Sequence, residues 1–190
     1  MRDIDVRQAL ERQVLRDHNA DPNTLVVHEL GVLGGASRVD IAVVNGSLHG
    51  IEIKSDKDTL GRLSEQSRAY SRIFDKVTIV CGERHFEKVE ECVPAWWGIK
   101  VAVSGPRGGI EFSQERFPKL NRSQEPEALA SLLWKDEALD VLEKHGVAKG
   151  VRSKNKAAIY RRLAECLSVD ILRDAVRDRL KTRVGWRSDR

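Results

Sequence analysis

Arg38-Val39-Asp40-Ile41-Ala42-Val43-Val44-Asn45-Gly46-Ser47-Leu48-His49-Gly50-Ile51-Glu52-Ile53-Lys54 reads as two strands joined by a turn. Asn45-Gly46-Ser47 is a turn signal between two β-rich runs. Side chains alternate between the two faces of a strand. Val39, Ile41 and Val43 therefore share one face, and Asp40, Ala42 and Val44 the other. In the second strand Ile51 and Ile53 oppose Gly50, Glu52 and Lys54. A three-residue connection pairs Val44 with Leu48, so that Ile41 faces Ile51, Val39 faces Ile53 and Asp40 faces Glu52. A two-residue turn would set Asp40 opposite Ile51 and mix acids into the apolar face. Hydrophobic matching selects the first register.

That register brings the Cβ atoms of Asp40 and Glu52 to about 5 Å. Two carboxylates so close either share a proton or hold a cation. Lys54 lies two residues beyond Glu52 on the same face. Carboxylates with a backbone carbonyl and water suit Mg²⁺ or Mn²⁺. Such an ion polarises a phosphodiester and activates water, and an ammonium beside it stabilises developing charge. The competing reading is an ion cluster on a solvated sheet face.

Residues 59–74 follow as a predicted helix, with Asp58 as its N-cap. Leu63, Tyr70 and Phe74 centre its apolar stripe, and Gln66 and Ile73 flank it. A glutamine on a packed face needs a partner, and Gln66 and Tyr70 are neighbours at i,i+4. The alternative is a core tyrosine and a glutamine bonded to backbone. Further helices are expected at 6–17 and 83–92, and further strands at 24–30, 76–81, 99–103 and 110–113. A glycine-rich loop is expected at 31–37. Helices interleaved with strands and one hairpin make an α/β fold with a mixed sheet.

Asp40, then Glu52-Ile53-Lys54, then Gln66-x-x-x-Tyr70 resembles the PD-(D/E)XK nuclease superfamily, in the branch with RecB-type domains. The string from Glu52 to Val77 is similar to a small bacterial family of uncharacterised, nuclease-like proteins. The likeness spans roughly residues 5–115 and is sharpest over about 25–80. It implies a restriction-endonuclease-like sheet flanked by helices. It also implies that Asp40, Glu52 and the Ile53 carbonyl hold Mg²⁺ or Mn²⁺, with Lys54 catalytic and Gln66 and Tyr70 positioning the site or a phosphate. Val39 stands where the motif's proline would be, a common departure. A further acidic metal ligand is expected upstream, and of two candidates, Glu29 at the end of the first strand as in the RecB-like pattern and Glu11 on the first helix, Glu29 is favoured. Arg62 borders the same face and is a candidate phosphate contact. The implied activity is metal-dependent phosphodiester hydrolysis, in DNA, in a repair or defence setting. The rivals are a silent nucleic-acid-binding module and a regulatory subunit of a larger DNA-processing complex. A homodimer or partner protein is compatible with each.

Residues 118–126 read as a linker, so the sequence divides into a nuclease-like domain at 1–117 and a helical appendage at 127–190. Leucine stripes predict helices at 127–145, 154–167 and 169–184. Leu142-x-x-x-Gly146-x-x-x-Gly150 followed by Lys154-Asn155-Lys156 resembles helix-extended-helix DNA-binding modules. Trp134 and Trp186 are expected to pack.

The net charge of +4 is uneven. Residues 1–122 carry 18 Lys/Arg and 18 Asp/Glu, whereas residues 123–190 carry 15 against 11. Lys149, Arg152, Lys154, Lys156, Arg161 and Arg162 form an acid-free run. It is a candidate surface for nucleic-acid phosphates or an ordinary solvated face. Nothing interleaves aromatics for base stacking. Three separated cysteines without a CxxC pair point to buried thiols in a reducing cytoplasm. The start lacks the profile of a secretory signal, and no apolar run suits a membrane span.

Overall fold

The computed structural model describes residues 1–106 and 108–183. These form two compact units, Met1–Ser123 and Gln124–Arg190. No helix among the described residues is long and apolar enough to cross a membrane.

The first unit is a mixed α/β structure, as the alternation of patterns predicts. Its six strands are β1 (Leu25–Val32), β2 (Ser37–Val44), β3 (Leu48–Lys54), β4 (Lys76–Gly82), β5 (Gly98–Ser104) and β6 (Ile110–Arg116). They lie side by side in chain order. β1–β2, β2–β3 and β5–β6 pair antiparallel, while β3–β4 and β4–β5 pair parallel. The β2–β3 ladder runs from Val44↔Leu48 to Ile41↔Ile51, in the register that hydrophobic matching selects. The turn is closed by Ser47 N–H donating to Asn45 Oδ1 at 3.0 Å.

The two faces of the hairpin are covered differently. Helix α1 (Asp3–Gln13) lays Val6 and Leu10 against Ile41, Val43, Ile51 and Ile53. Helix α3 (Leu63–Ser71) brings Tyr70 to the opposite side, with Phe74 just beyond it. Gly50 lets the ring come close: a Cβ there would stand 3.2 Å from Phe74, which would have to shift to admit it. Tyr70 meets Phe74 edge to face at 5.6 Å and stacks on Trp97 at 6.0 Å. All three aromatics are fully buried, and Tyr70 with Leu63 anchors α3.

Several helix boundaries differ from those expected. The segment 6–17 is α1 from Asp3 followed by α2 (Arg16–Ala20). Leu15 N–H bonds back to Leu10 O at 2.9 Å, a wide turn that ends α1 and buries Leu15. The helix at 59–74 is shorter, because Asp58 is not its cap. Asp58 Oδ2 instead accepts from Ser55 N–H at 2.8 Å and Ser55 Oγ–H at 2.6 Å, closing its own turn. Residues 83–92 begin as a 3₁₀ turn (Glu83–His85) and continue as α4 (Phe86–Cys92). Part of the stretch 118–126 is bound into this unit. Asn121 is buried and donates to Ser71 O and Phe74 O. The thiols are not all buried: Cys81 is, its pKa pushed up to about 12 by burial, while Cys92 and Cys166 are exposed.

The second unit is helical: α5 (Pro126–Ala130), α6 (Lys135–Lys144), α7 (Lys156–Cys166) and α8 (Val169–Thr182). The single helix expected at 127–145 is broken. Ser131 Oγ–H turns back to Ala128 O, and Glu137 Oε2 accepts Trp134 N–H at 2.7 Å to cap α6. Leu129, Leu142, Ile159, Leu163, Leu172, Val176 and Leu180 form its core. Trp134 is 47% exposed rather than packed, with the Arg183 guanidinium 4.4 Å from its ring centre. Trp186 and the end of the helix expected at 169–184 lie outside the described residues.

Candidate active site

The β2–β3 ladder stops at Ile41↔Ile51, and Asp40 replaces the next rung. Its Oδ2 accepts Ile53 N–H at 2.7 Å. Asp40 and Glu52 thus do not form the cross-strand pair that the register extends to. They are brought together at the end of the ladder, where both line one cavity of about 480 Å³.

Glu52 is 2% exposed and has three hydrogen-bonding neighbours. Lys54 Nζ donates to its Oε1 at 2.7 Å and Gln66 Nε2 to the same oxygen at 2.5 Å. Tyr70 Oη lies 2.8 Å from Oε2 and 2.7 Å from Arg38 O. A phenol has one hydrogen, so it cannot donate fully to both acceptors while Glu52 is ionised. A proton on Oε2 would resolve this by donating to the phenol. Consistent with that count, burial raises the Glu52 pKa, the neighbouring Asp40 charge adds to the rise, and Lys54 and Tyr70 oppose it. Asp40 is raised too, by burial first, against the Ile53 N–H, Arg7 and Lys54. The Tyr70 pKa is driven up by burial and by Glu52. Gln66 Oε1 is buried with no hydrogen-bond partner.

Glu29 and Glu11 separate cleanly. Glu29 lines the cavity and Glu11 does not. Glu11 instead pairs with His28 Nε2 at 3.0 Å and accepts from Asn19 at 3.0 Å. Glu29 adopts a left-handed backbone, φ +56°, which costs a non-glycine residue about 1–2 kcal/mol. Its oxygens are held by Arg38 Nε at 2.7 Å and Arg7 Nη2 at 3.2 Å. Arg62 precedes α3, is exposed and also lines the cavity.

Arg7 is the residue that sequence reasoning misses. It ion-pairs with Asp40 Oδ1 at 3.0 Å, Glu29 Oε1 at 3.2 Å and Asp3 Oδ1 at 3.6 Å, and donates to Asp40 O at 3.3 Å. Burial works against its charge, but the combined attraction of Asp40, Asp3 and Glu29 outweighs it and raises the pKa. The only sequence signal is Asp3 and Arg7 at i,i+4 on α1. Nothing there places that helix face beside β2.

The cavity wall carries six carboxylates, Asp3, Glu29, Asp40, Glu52, Asp58 and Glu65. Four cations, Arg7, Arg38, Lys54 and Arg62, leave two negative charges in excess when all are ionised. Hard oxygen donors, an excess of two negative charges and the orphaned Gln66 oxygen fit a hydrated divalent cation. Among the described residues, no three His, Cys, Asp or Glu side chains converge as a ready ligand set. Asp40, Glu52, Ile53 and Glu29 all line the cavity and are the residues that could hold a cation, each of the three carboxylates being already paired within the protein.

The basic residues of the second unit take a different form. Lys149, Arg152, Lys154, Lys156 and Arg161 are exposed, and Arg162 is half-buried. They follow a turn made by Gly146 (φ +71°) and Gly150 (φ +82°), and Asn155 Oδ1 caps α7 by accepting Ala158 N–H at 3.0 Å. Arg152 pairs with Glu143 at 3.2 Å.

A mixed α/β unit with a buried acid–lysine–glutamine–tyrosine site, joined in sequence to a basic helical unit, is thus the kind of protein described. The chain belongs to the family described as bacteriophage P4 protein cII, which matches residues 6–190. Protein cII of Enterobacteria phage P4 is 30% identical over 122 residues, which are 64% of this chain and 46% of the phage protein. The chain therefore spans about half the length of that curated relative. A protein of unknown function from Silicibacter pomeroyi, solved structurally, overlays 74% of this chain and 89% of its own at 18% identity and TM-score 0.41.

Proposed function

We propose that the first unit is a divalent-metal-dependent nuclease of the PD-(D/E)XK type, hydrolysing phosphodiester bonds in DNA. One observation carries the reading: Lys54, Gln66 and Tyr70 all converge on Glu52, in the cavity that Asp40 shares. A buried acid in a cavity, its pKa raised by desolvation and by a neighbouring carboxylate, is the kind of group that functional sites concentrate. Asp40, Glu52 and the Ile53 carbonyl would hold Mg²⁺ or Mn²⁺. The ion would supply Lewis-acid activation of the phosphodiester and of water. Tyr70 and Gln66 fix the Glu52 carboxylate, and the buried Lys54 ammonium stands ready to offset charge on a phosphorane. Lys149, Arg152, Lys154, Lys156, Arg161 and Arg162 serve as a sequence-independent phosphate contact.

The test is a titration of Mg²⁺ and Mn²⁺ into the full chain and into Asp40→Ala/Glu52→Ala, following ion binding and cleavage of single- and double-stranded DNA. Metal-dependent cutting that the double variant lacks supports the reading. A second reading, a silent DNA-binding module, is favoured by a specific fact: both oxygens of Asp40 and both of Glu52 already have protein partners. DNA binding by a parent that takes up neither ion would select it.

A further inference from the structure

Arg7 stands where a cation at Asp40 would draw its counter-charge. Its Nη2 is 3.0 Å from Asp40 Oδ1 and 3.2 Å from Glu29 Oε1, while Asp40 Oδ2 is committed to Ile53 N–H. Oδ1 is thus the one Asp40 oxygen not spent on backbone, and Arg7 holds it. The same guanidinium binds Glu29, which also lines the cavity. We infer that Arg7 is a competing internal cation: it occupies the Asp40–Glu29 pair until a divalent ion takes Asp40, and the released guanidinium then receives a phosphate of the nucleic acid. This rests on the nuclease reading above and adds a linkage between ion and phosphate that the reading does not require.

The electrostatics set the sign. A guanidinium and a divalent ion drawn to one carboxylate oxygen repel each other across it, so each lowers the other's affinity. Once released, Arg7 remains tethered by α1 at the wall of a cavity whose carboxylates outnumber its cations. A phosphodiester is an anion that a planar guanidinium fork can pair with through two parallel hydrogen bonds, as it does with a carboxylate. Phosphate that draws Arg7 away leaves Asp40 free for the ion, so phosphate and metal help each other bind. The opposite role, Arg7 as a scaffold that orients Asp40 and Glu29 for the ion, predicts the opposite sign.

Mn²⁺ binding to the full chain, followed by the loss of its free-ion paramagnetic resonance signal, decides between them. The proteins are the parent, Arg7→Met and Arg7→Lys, each with and without a short phosphorothioate DNA oligonucleotide; Asp40→Asn reports whether binding uses this site. We expect Arg7→Met to bind Mn²⁺ about tenfold more tightly than the parent, within the usual span of coupled sites. Arg7→Lys, which keeps the charge but cannot fork across both acids, should fall between. The oligonucleotide should tighten Mn²⁺ binding more in the parent than in Arg7→Met, which keeps only the direct attraction between ion and phosphate. Asp40-dependent binding that Arg7→Met weakens or leaves alone would overturn the linkage while sparing the metal site. Binding that Asp40→Asn does not affect would overturn the metal site and the linkage with it.

Discussion

The two units handle charge in opposite ways. In the sheet unit, Glu52 and Lys54 are 2% and 7% exposed, and both Glu52 oxygens and the Lys54 ammonium are hydrogen-bonded. In the helical unit, five of the six basic residues between 149 and 162 stand in solvent. Burying charge is expensive unless each group is paired and hydrogen-bonded. An exposed lysine costs almost nothing to keep. The first arrangement therefore constrains geometry, and the second only sums charge. Substitution should reveal this as a contrast between sharp losses in one unit and small graded ones in the other.

The sharpest loss is expected at Glu52. Glu52→Gln keeps the volume and the Tyr70 contact but removes the carboxylate from the proposed metal site. Metal-dependent cleavage should fall by at least about a hundredfold while circular dichroism and the thermal midpoint show a folded protein. Cleavage retained at the parent's rate would remove Glu52 from the mechanism. Tyr70→Phe comes next. It leaves Arg38 O and Glu52 Oε2 without the phenol that now lies 2.7 and 2.8 Å away. Chemical denaturation should show a loss of about 1–3 kcal/mol, the range for a buried polar group deprived of its partner. A loss below a few tenths would mean that water takes over both contacts.

Much of this contrast was legible before any coordinates. The Asn45-Gly46-Ser47 turn and the Ile41/Ile51 match determined the hairpin register. That register, with the i,i+4 spacing of Gln66 and Tyr70, put the correct side chains near Glu52. What the register could not show was the last rung, where Asp40 leaves Glu52 and bonds to Ile53 N–H. Strand separation depends on twist and on neighbours, not on alternation. Arg7 was invisible for a related reason, since α1's polar face is indistinguishable from a solvated one until its packing on β3 is known. Local propensity also overran the helix at 59–74, because Asp58 satisfies Ser55 rather than α3. In the helical unit the apolar stripes located the core, but not the break that Ser131 and Glu137 impose before α6.

Stability should depend on pH in a direction opposite to that of a salt-bridged acid. The pKa of Glu52 is raised by burial and by Asp40, and that of Asp40 by burial. Above the unfolded pKa of about 4.3 for glutamate, the folded protein holds more protons than the unfolded one. Stability must then fall as pH rises through the raised folded pKa values. Denaturant midpoints measured upward from pH 5 should decline in the parent and decline less in Glu52→Gln. A slope unchanged by Glu52→Gln would assign the dependence to Asp40 or elsewhere. Added Mg²⁺, by compensating the two excess negative charges, should flatten the parent's slope as well.

The smallest effects belong to the exposed basic residues between 149 and 162, which act as point charges. If Lys149, Arg152 and Lys154 contact phosphates, the logarithm of the DNA association constant should fall linearly with the logarithm of salt concentration. Removing one contact should make that slope shallower by about 0.9 for duplex DNA and about 0.7 for single strands. Lys154→Ala is the cleanest case, since Arg152 already has Glu143 as a partner. Affinity should drop only modestly, and equally for unrelated sequences, because a phosphate contact reads no bases. Fluorescence anisotropy over a salt series measures both quantities. An unchanged slope would mean that Lys154 faces water in the complex. A loss confined to one sequence would mean that this unit reads base edges, and would end its description as a summed charge.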